Sequence, residues 1–211
     1  MTKAKTTTTG VRAWTLERVY PWLLTIGGII GFIAAFVLTL EKIELLKNPA
    51  YNPSCNISPL LSCGSVMKTE QAQAFGFANS LIGVAGFAIV TTIGMMLLAG
   101  VNGQKIKRWF WLGLQAGAIF GIAFIHWLFF QSVYVIGALC PYCMVVWVVT
   151  IPIFWYTTLY NLRTGVIPTP QSLKGVVNFL QRHHGDVLLL WFLVLIGLIL
   201  NHFWYYWQTL I

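Results

Sequence analysis

Five stretches of the chain, at about 21–40, 79–100, 109–133, 139–160 and 187–207, are too long and too apolar for an ordinary soluble domain. Runs of about 18 or more apolar residues are long enough to cross the hydrocarbon core of a bilayer. A backbone in lipid must satisfy its own hydrogen bonds, so each run is predicted to be a helix rather than an open strand. The expected fold class is an all-α polytopic membrane protein: a four-helix bundle core with an outer short helix or lid loop, plus a fifth transmembrane helix. Only 9% of residues are charged, against roughly 25% in soluble domains. The first run is too long for a secretory signal, and no small-residue cleavage site precedes the polar segment at Glu41. Aromatic residues gather near run ends (Trp14, Trp22, Trp109, Trp111, Trp204, Tyr205, Tyr206 and Trp207), as interfacial belts do.

The net charge of +8 invites a nucleic-acid reading that its distribution argues against. Lys3, Lys5, Arg12 and Arg18 precede the first run, Lys105, Lys107 and Arg108 lie between runs two and three, and Arg163, Lys174 and Arg182 between runs four and five. These would share one side of the membrane, leaving Lys42, Lys47 and Lys68 on the other. Such a split sets orientation by the positive-inside rule: amino terminus cytoplasmic, carboxyl terminus outside. The expected organisation is a cytoplasmic tail over 1–18, a four-helix core over 19–162 with an outer loop at 41–78, a cytoplasmic connector over 163–186 and a fifth span over 187–211. The first ten residues, with four consecutive threonines, are expected to be disordered.

That topology puts Cys55, Cys63, Cys140 and Cys143 on the outer side, where disulfides persist. An even set there points to thiol–disulfide chemistry. A structural zinc is the weaker reading, because closed zinc sites usually supply two close pairs, and Cys55 and Cys63 have seven residues between them. Two inert disulfides are also conceivable, although a Cys-x-x-Cys bridge on a helix is strained and reducible. Pro141 suits the first helical position, with Cys140 near the cap. The positive end of that helix favours a thiolate on Cys140 or Cys143. A dithiol at the membrane edge can hand electrons to a lipid-soluble oxidant, of which a quinone is the obvious candidate.

Between runs one and two, Ser58-Pro59 is predicted to cap a short, partly apolar helix through about Phe75. It could lie across the bundle, covering the redox helix and bringing Cys63 near Cys140, or be an ordinary surface helix. Asn79-Ser80 opens run two. Asn79 could cap that helix or donate a hydrogen bond to a quinone carbonyl. Asn56-Ile57-Ser58 matches a glycosylation acceptor, a triplet common by chance.

Cys55 and Cys63 with the following Ser-Val-Met-Lys-Thr, the segment Phe75-Gly-Phe-Ala-Asn79-Ser80, and Cys140-Pro-Tyr-Cys143 together resemble the vitamin K epoxide reductase family in its bacterial form, over about residues 15–162. The resemblance implies a relay in which Cys140 and Cys143 reduce quinone, Cys143 nearest the ring. Cys55 and Cys63 would shuttle electrons to them from an external partner. It implies quinone contacts at Asn79, at Thr69, the hydroxyl residue of the short helix, and at Trp147. Trp147 stands where the animal members have tyrosine. Bacterial members often carry a fused thioredoxin-like domain after a fifth helix; without one, the partner is expected to be a separate extracytoplasmic thioredoxin-fold protein.

The expected function is therefore a quinone-dependent membrane oxidoreductase that drives disulfide formation, with menaquinone or ubiquinone as acceptor and no need of a metal or flavin. A rival bacterial disulfide oxidase on an unrelated chain has its two cysteine pairs in the opposite order. Reduction of vitamin K or its epoxide is a second alternative. A scaffold or transporter with structural disulfides is a third, but transporters usually show charges or broken helices at mid-membrane. Here His126 is the one ionisable residue deep in run three, and packing explains a lone histidine well. Gly83, Ala85, Gly86 and Gly94 suggest close helix packing. His183-His184 hint weakly at metal, but a solvated loop is the simpler reading.

Overall fold

A computed structural model describes residues 9–208; the side chains of residues 9–15 and of Trp207 are also outside the description. Lys3 and Lys5 therefore lie outside the described residues, as do the side chains of Arg12 and Trp14. Five helices are long and apolar enough to span a membrane. They are α1 (Thr9–Lys47), α3 (Ser80–Leu98), α4 (Arg108–Phe130), α5 (Pro141–Arg163) and α7 (His184–His202). Between them lie the short α2 (Cys63–Met67), then α6 (Lys174–Arg182), and after α7 comes α8 (Trp204–Gln208). The protein is an all-α polytopic membrane protein, as anticipated from its sequence, with four helices and a fifth beside them.

The packing is uneven. Helix α1 packs along α3 and α5, and α4 along α5, whereas α3 and α4 scarcely touch. Close approach of α1 and α3 depends on glycine. A Cβ on Gly94 would stand 2.6 Å from the Thr25 backbone nitrogen, and one on Gly28 would stand 2.9 Å from that of Thr91. Gly83 likewise fits against Ala35. Gly86 and Ala85 do not share in this packing: a Cβ on Gly86 would meet nothing within 4 Å, and Ala85 is exposed.

At the end of the bundle remote from the cysteines, Tyr20 is fully buried and donates to Thr157 Oγ1 at 3.0 Å, stacked on Tyr160. Trp111 is only 1% exposed and donates to the Gly103 carbonyl. It is thus a core residue, unlike Trp22, Trp109 and Trp204, which are exposed. Its indole N–H has a backbone partner, which removes the reason to seek the interface. Arg108 donates to the Val166 carbonyl at 2.8 Å, tying the α3–α4 and α5–α6 connections together at that end.

Within the expected tail 1–18 the chain is helical from Thr9, and within the expected connector 163–186 residues Lys174–Arg182 form α6, in which Val176, Val177, Phe179 and Leu180 repeat at helical spacing. His183 pairs with Asp186, while His184 bonds the Tyr156 hydroxyl at 2.9 Å. The fifth span docks through His126. Indole N–H groups only donate, so Trp191 Nε1 gives its proton to His126 Nε2 (3.0 Å), and Nδ1–H of His126 donates to the Ile122 carbonyl.

Candidate active site

Four sulfurs meet under the loop between α1 and α3. Cys55 and Cys63 are joined by a disulfide bond, and Cys140 and Cys143 are free thiols. Cys140 Sγ lies 3.2 Å from Cys63 Sγ, and neither residue has any solvent exposure.

Local structure explains the meeting. Helix α4 runs on into a π-helical turn, Gln131–Ile136, which Gly137 ends in the left-handed region at φ 69°. The chain then extends through Leu139, which pairs with the α1–α3 loop: Leu139 N–H donates to the Leu60 carbonyl and Ser62 N–H to the Leu139 carbonyl. That short bridge sets Cys63 and Cys140, each one or two residues beyond it, side by side. Cys140 caps α5 with Pro141 at its first turn, and its sulfur accepts from the Cys143 amide at 3.4 Å. The Cys140 thiol is held below the usual thiol range, first by a hydrogen bond from the Cys143 thiol and then by the amides of Cys143 and Tyr142.

The bridge also changes the predicted lid helix. Residues 58–60 bend, Leu61 forms the bridge to Leu139, and the helix begins at Cys63, capped by Ser62, whose oxygen accepts from the Ser65 amide. Ser58 instead accepts from the Leu61 amide, closing a turn. After α2 the chain makes a 3₁₀ turn at Glu70–Gln73, so the lid comes in two pieces and stops short of Phe75.

Beneath the lid, in the gap between α3 and α4, lies a cavity of about 460 Å³. Cys140, Cys143, Asn79, Lys42 and Trp147 line its upper part, and Gly86, Gly113 and Gly117 line the gap below. It reaches from Leu128 to Trp109 on α4, a rise of about 28 Å at roughly 1.5 Å per residue. Ile89 and Phe120 border it while largely exposed, so it opens sideways between the helices.

The other singled-out residues fall at different distances from this cavity. Asn79 occupies the cap position of α3 but makes no capping bond; it donates to the Gln71 carbonyl (2.7 Å) and accepts from the Ala74 amide (3.0 Å), holding the second half of the lid. Thr69 donates to the Val66 carbonyl and is not in the cavity wall. Trp147 is 6% exposed and meets Phe129 edge to face at 5.1 Å. The sequence reading missed Lys42, a buried lysine in the cavity wall. In the sequence it reads only as the first positive charge after an apolar run.

The sequence model of the Vitamin K epoxide reductase family matches residues 22–158, well over half of the chain. A search of curated proteins gives no match.

Proposed function

The chain belongs to the vitamin K epoxide reductase family, a family of membrane redox enzymes, and we propose that it is a thiol:quinone oxidoreductase that makes disulfide bonds in a separate thioredoxin-fold partner outside the cytoplasm. The observation that carries this reading is the 3.2 Å approach of Cys140 to Cys63 at the head of a cavity open to lipid. Reacting atoms about 3–3.5 Å apart are in near-attack range.

The relay runs as three exchanges. A partner dithiol attacks the Cys55–Cys63 disulfide through a mixed disulfide; Cys55 is flanked by exposed Ser54 and Ile57, which mark the approach. The reduced Cys63 then attacks a Cys140–Cys143 disulfide at Cys140, releasing Cys143 into the cavity. Cys55 finally displaces Cys140, which restores the Cys55–Cys63 bond and leaves Cys140 and Cys143 reduced. This last state has the sulfur pairing seen in the structure.

The cavity suits a quinone. Its volume lies within the roughly 300–1,000 Å³ of small-molecule sites, its walls are apolar, and its few polar groups cluster at the thiol end. Bound there, a quinone supplies a two-electron, two-proton acceptor for the dithiol. Asn79, Trp147 and Cys143 would hold the ring end. The positive residues at the end remote from the sulfurs support a cytoplasmic amino terminus and an outward-facing site.

Purified protein, supplied with quinone and a reduced thioredoxin-fold protein, should form quinol and partner disulfide in equal amounts. Undiminished turnover in Cys143→Ala would overturn the assignment.

A further inference from the structure

We propose that Lys42 is the counter-cation of the cavity, the group that balances the negative charge arising there when a thiol ionises and the acceptor is reduced. The second half of this statement rests on the quinone reading above; the first concerns the thiols alone.

Lys42 lies near the outer end of α1, is 6% exposed and lines the same cavity as Cys140 and Cys143. Its Nζ donates to the Met67 carbonyl at 2.6 Å, the one hydrogen bond it makes among the described residues. No carboxylate pairs with it: the ion pairs among those residues are Lys47–Glu44 and His183–Asp186. Glu41, its neighbour on α1, turns to Ser54 instead. An ammonium carries three N–H donors, so two are left beside an apolar space. Burying a charge without a counter-charge is costly, and Lys and Arg are seldom buried unless paired. A cation so held in the wall of a cavity that two thiols also line is explained if the anion appears during the reaction.

The carbonyl that Lys42 holds closes α2, the helix that Cys63 opens. The bond fixes the ammonium at the junction of lid and cavity. During oxidation of the dithiol, two S–H bonds break and the Cys140–Cys143 bond forms. Two electrons and two protons leave for the two oxygens of the quinone. Lys42 keeps its own protons throughout and contributes charge and hydrogen bonds. In an apolar surrounding such a fixed charge acts more strongly than in water.

The test uses the full-length protein with Lys42→Met, which keeps the apolar stem, and Lys42→Arg, which keeps the charge. The first readout does not involve quinone. After mild reduction, site-resolved alkylation of Cys143 with iodoacetamide at neutral pH should slow at least about threefold in Lys42→Met and recover in Lys42→Arg, because an adjacent positive charge favours the thiolate. In the second, turnover of a short-chain quinone with dithiothreitol as electron donor should lose about 10²-fold in kcat in Lys42→Met, on the scale of a lost charge-stabilising donor, with KM moving much less. Alkylation and kcat unchanged in Lys42→Met would overturn the proposal. So would a loss matched by equal loss of Cys63–Cys140 disulfide formation in a Cys55→Ala/Cys143→Ala background, since Lys42 would then act only as a clasp for the lid. If wild-type protein reduces no quinone, the functional reading and the second half of the proposal fall together, while the alkylation result still decides the first.

Discussion

Cys140 and Cys63 should cross-link once nothing competes for either sulfur. A disulfide is about 2.0 Å long, and the two sulfurs stand 3.2 Å apart, so an approach of about 1.2 Å suffices. Intramolecular reactions in such geometry reach effective molarities of about 10⁵ M or more, far above any added thiol reagent. In Cys55→Ala/Cys143→Ala only these two thiols remain, and mild oxidation should join them nearly completely. The single variants test the electrostatics. In Cys143→Ala or Cys143→Ser, the Cys55–Cys63 disulfide with free Cys140 exchanges with a Cys63–Cys140 disulfide and free Cys55. A thiol with a depressed pKa gains from being the free thiolate, so above its pKa it biases the exchange against the Cys63–Cys140 form. In Cys143→Ser, which keeps a donor, that bias is lost as pH falls through the depressed Cys140 pKa, and the Cys63–Cys140 fraction rises. The largest lowering influence on Cys140 is the hydrogen bond from the Cys143 side chain. Serine keeps an O–H donor and alanine does not, so at neutral pH Cys143→Ala should hold more of the cross-linked form than Cys143→Ser. Acid quenching, denaturing alkylation and peptide mapping read both populations. Failure of the double variant to cross-link would refute the geometry, and a larger cross-linked fraction in Cys143→Ser would refute the account of the acidity.

Two further outcomes follow from packing. Asn79→Ala removes two hydrogen bonds to the Gln71–Ala74 turn, each worth about 1 kcal/mol, so amide exchange over 70–78 should quicken, with no change at α5; unaltered exchange would show that the turn holds without Asn79. Gly94→Val places a carbon 2.6 Å from the Thr25 nitrogen, about 1 Å inside ordinary contact, and should cost about 1–3 kcal/mol in unfolding from detergent, whereas Gly86→Val, with nothing within 4 Å, should cost much less. Equal losses would mean that α1 and α3 are not in close contact there.

The spans were legible because length and hydropathy alone identify them, and Cys140-Pro141 was legible as a helix start because proline has few tolerated places in a helix. The lid was misread at Ser58-Pro59 because a local capping pattern says nothing about a partner strand. Leu60 and Ser62 pair with Leu139, nearly eighty residues away, and that pairing moves the helix start to Cys63. Asn79 was weighed as a cap or a ligand contact, and the structure gives its side chain a third task in the loop before it. Lys42 escaped notice for a related reason: a lysine after an apolar run normally reaches water, and only the lid above it takes that water away. Trp111 shows the same limit from the other end, since one backbone carbonyl at Gly103 turns an interfacial type of residue into core.

The gap between α3 and α4 separates two tasks along its length. Sulfur chemistry occupies its outer end, while its bore farther down is set by Gly86, Gly113 and Gly117, positions at which a new Cβ would meet no other atom. Adding methyl groups there changes what can slide in from the bilayer without moving a single reactive atom. On the proposed thiol:quinone reading, acceptor choice would therefore be retuned by side-chain bulk at sites remote from the thiols, one residue at a time.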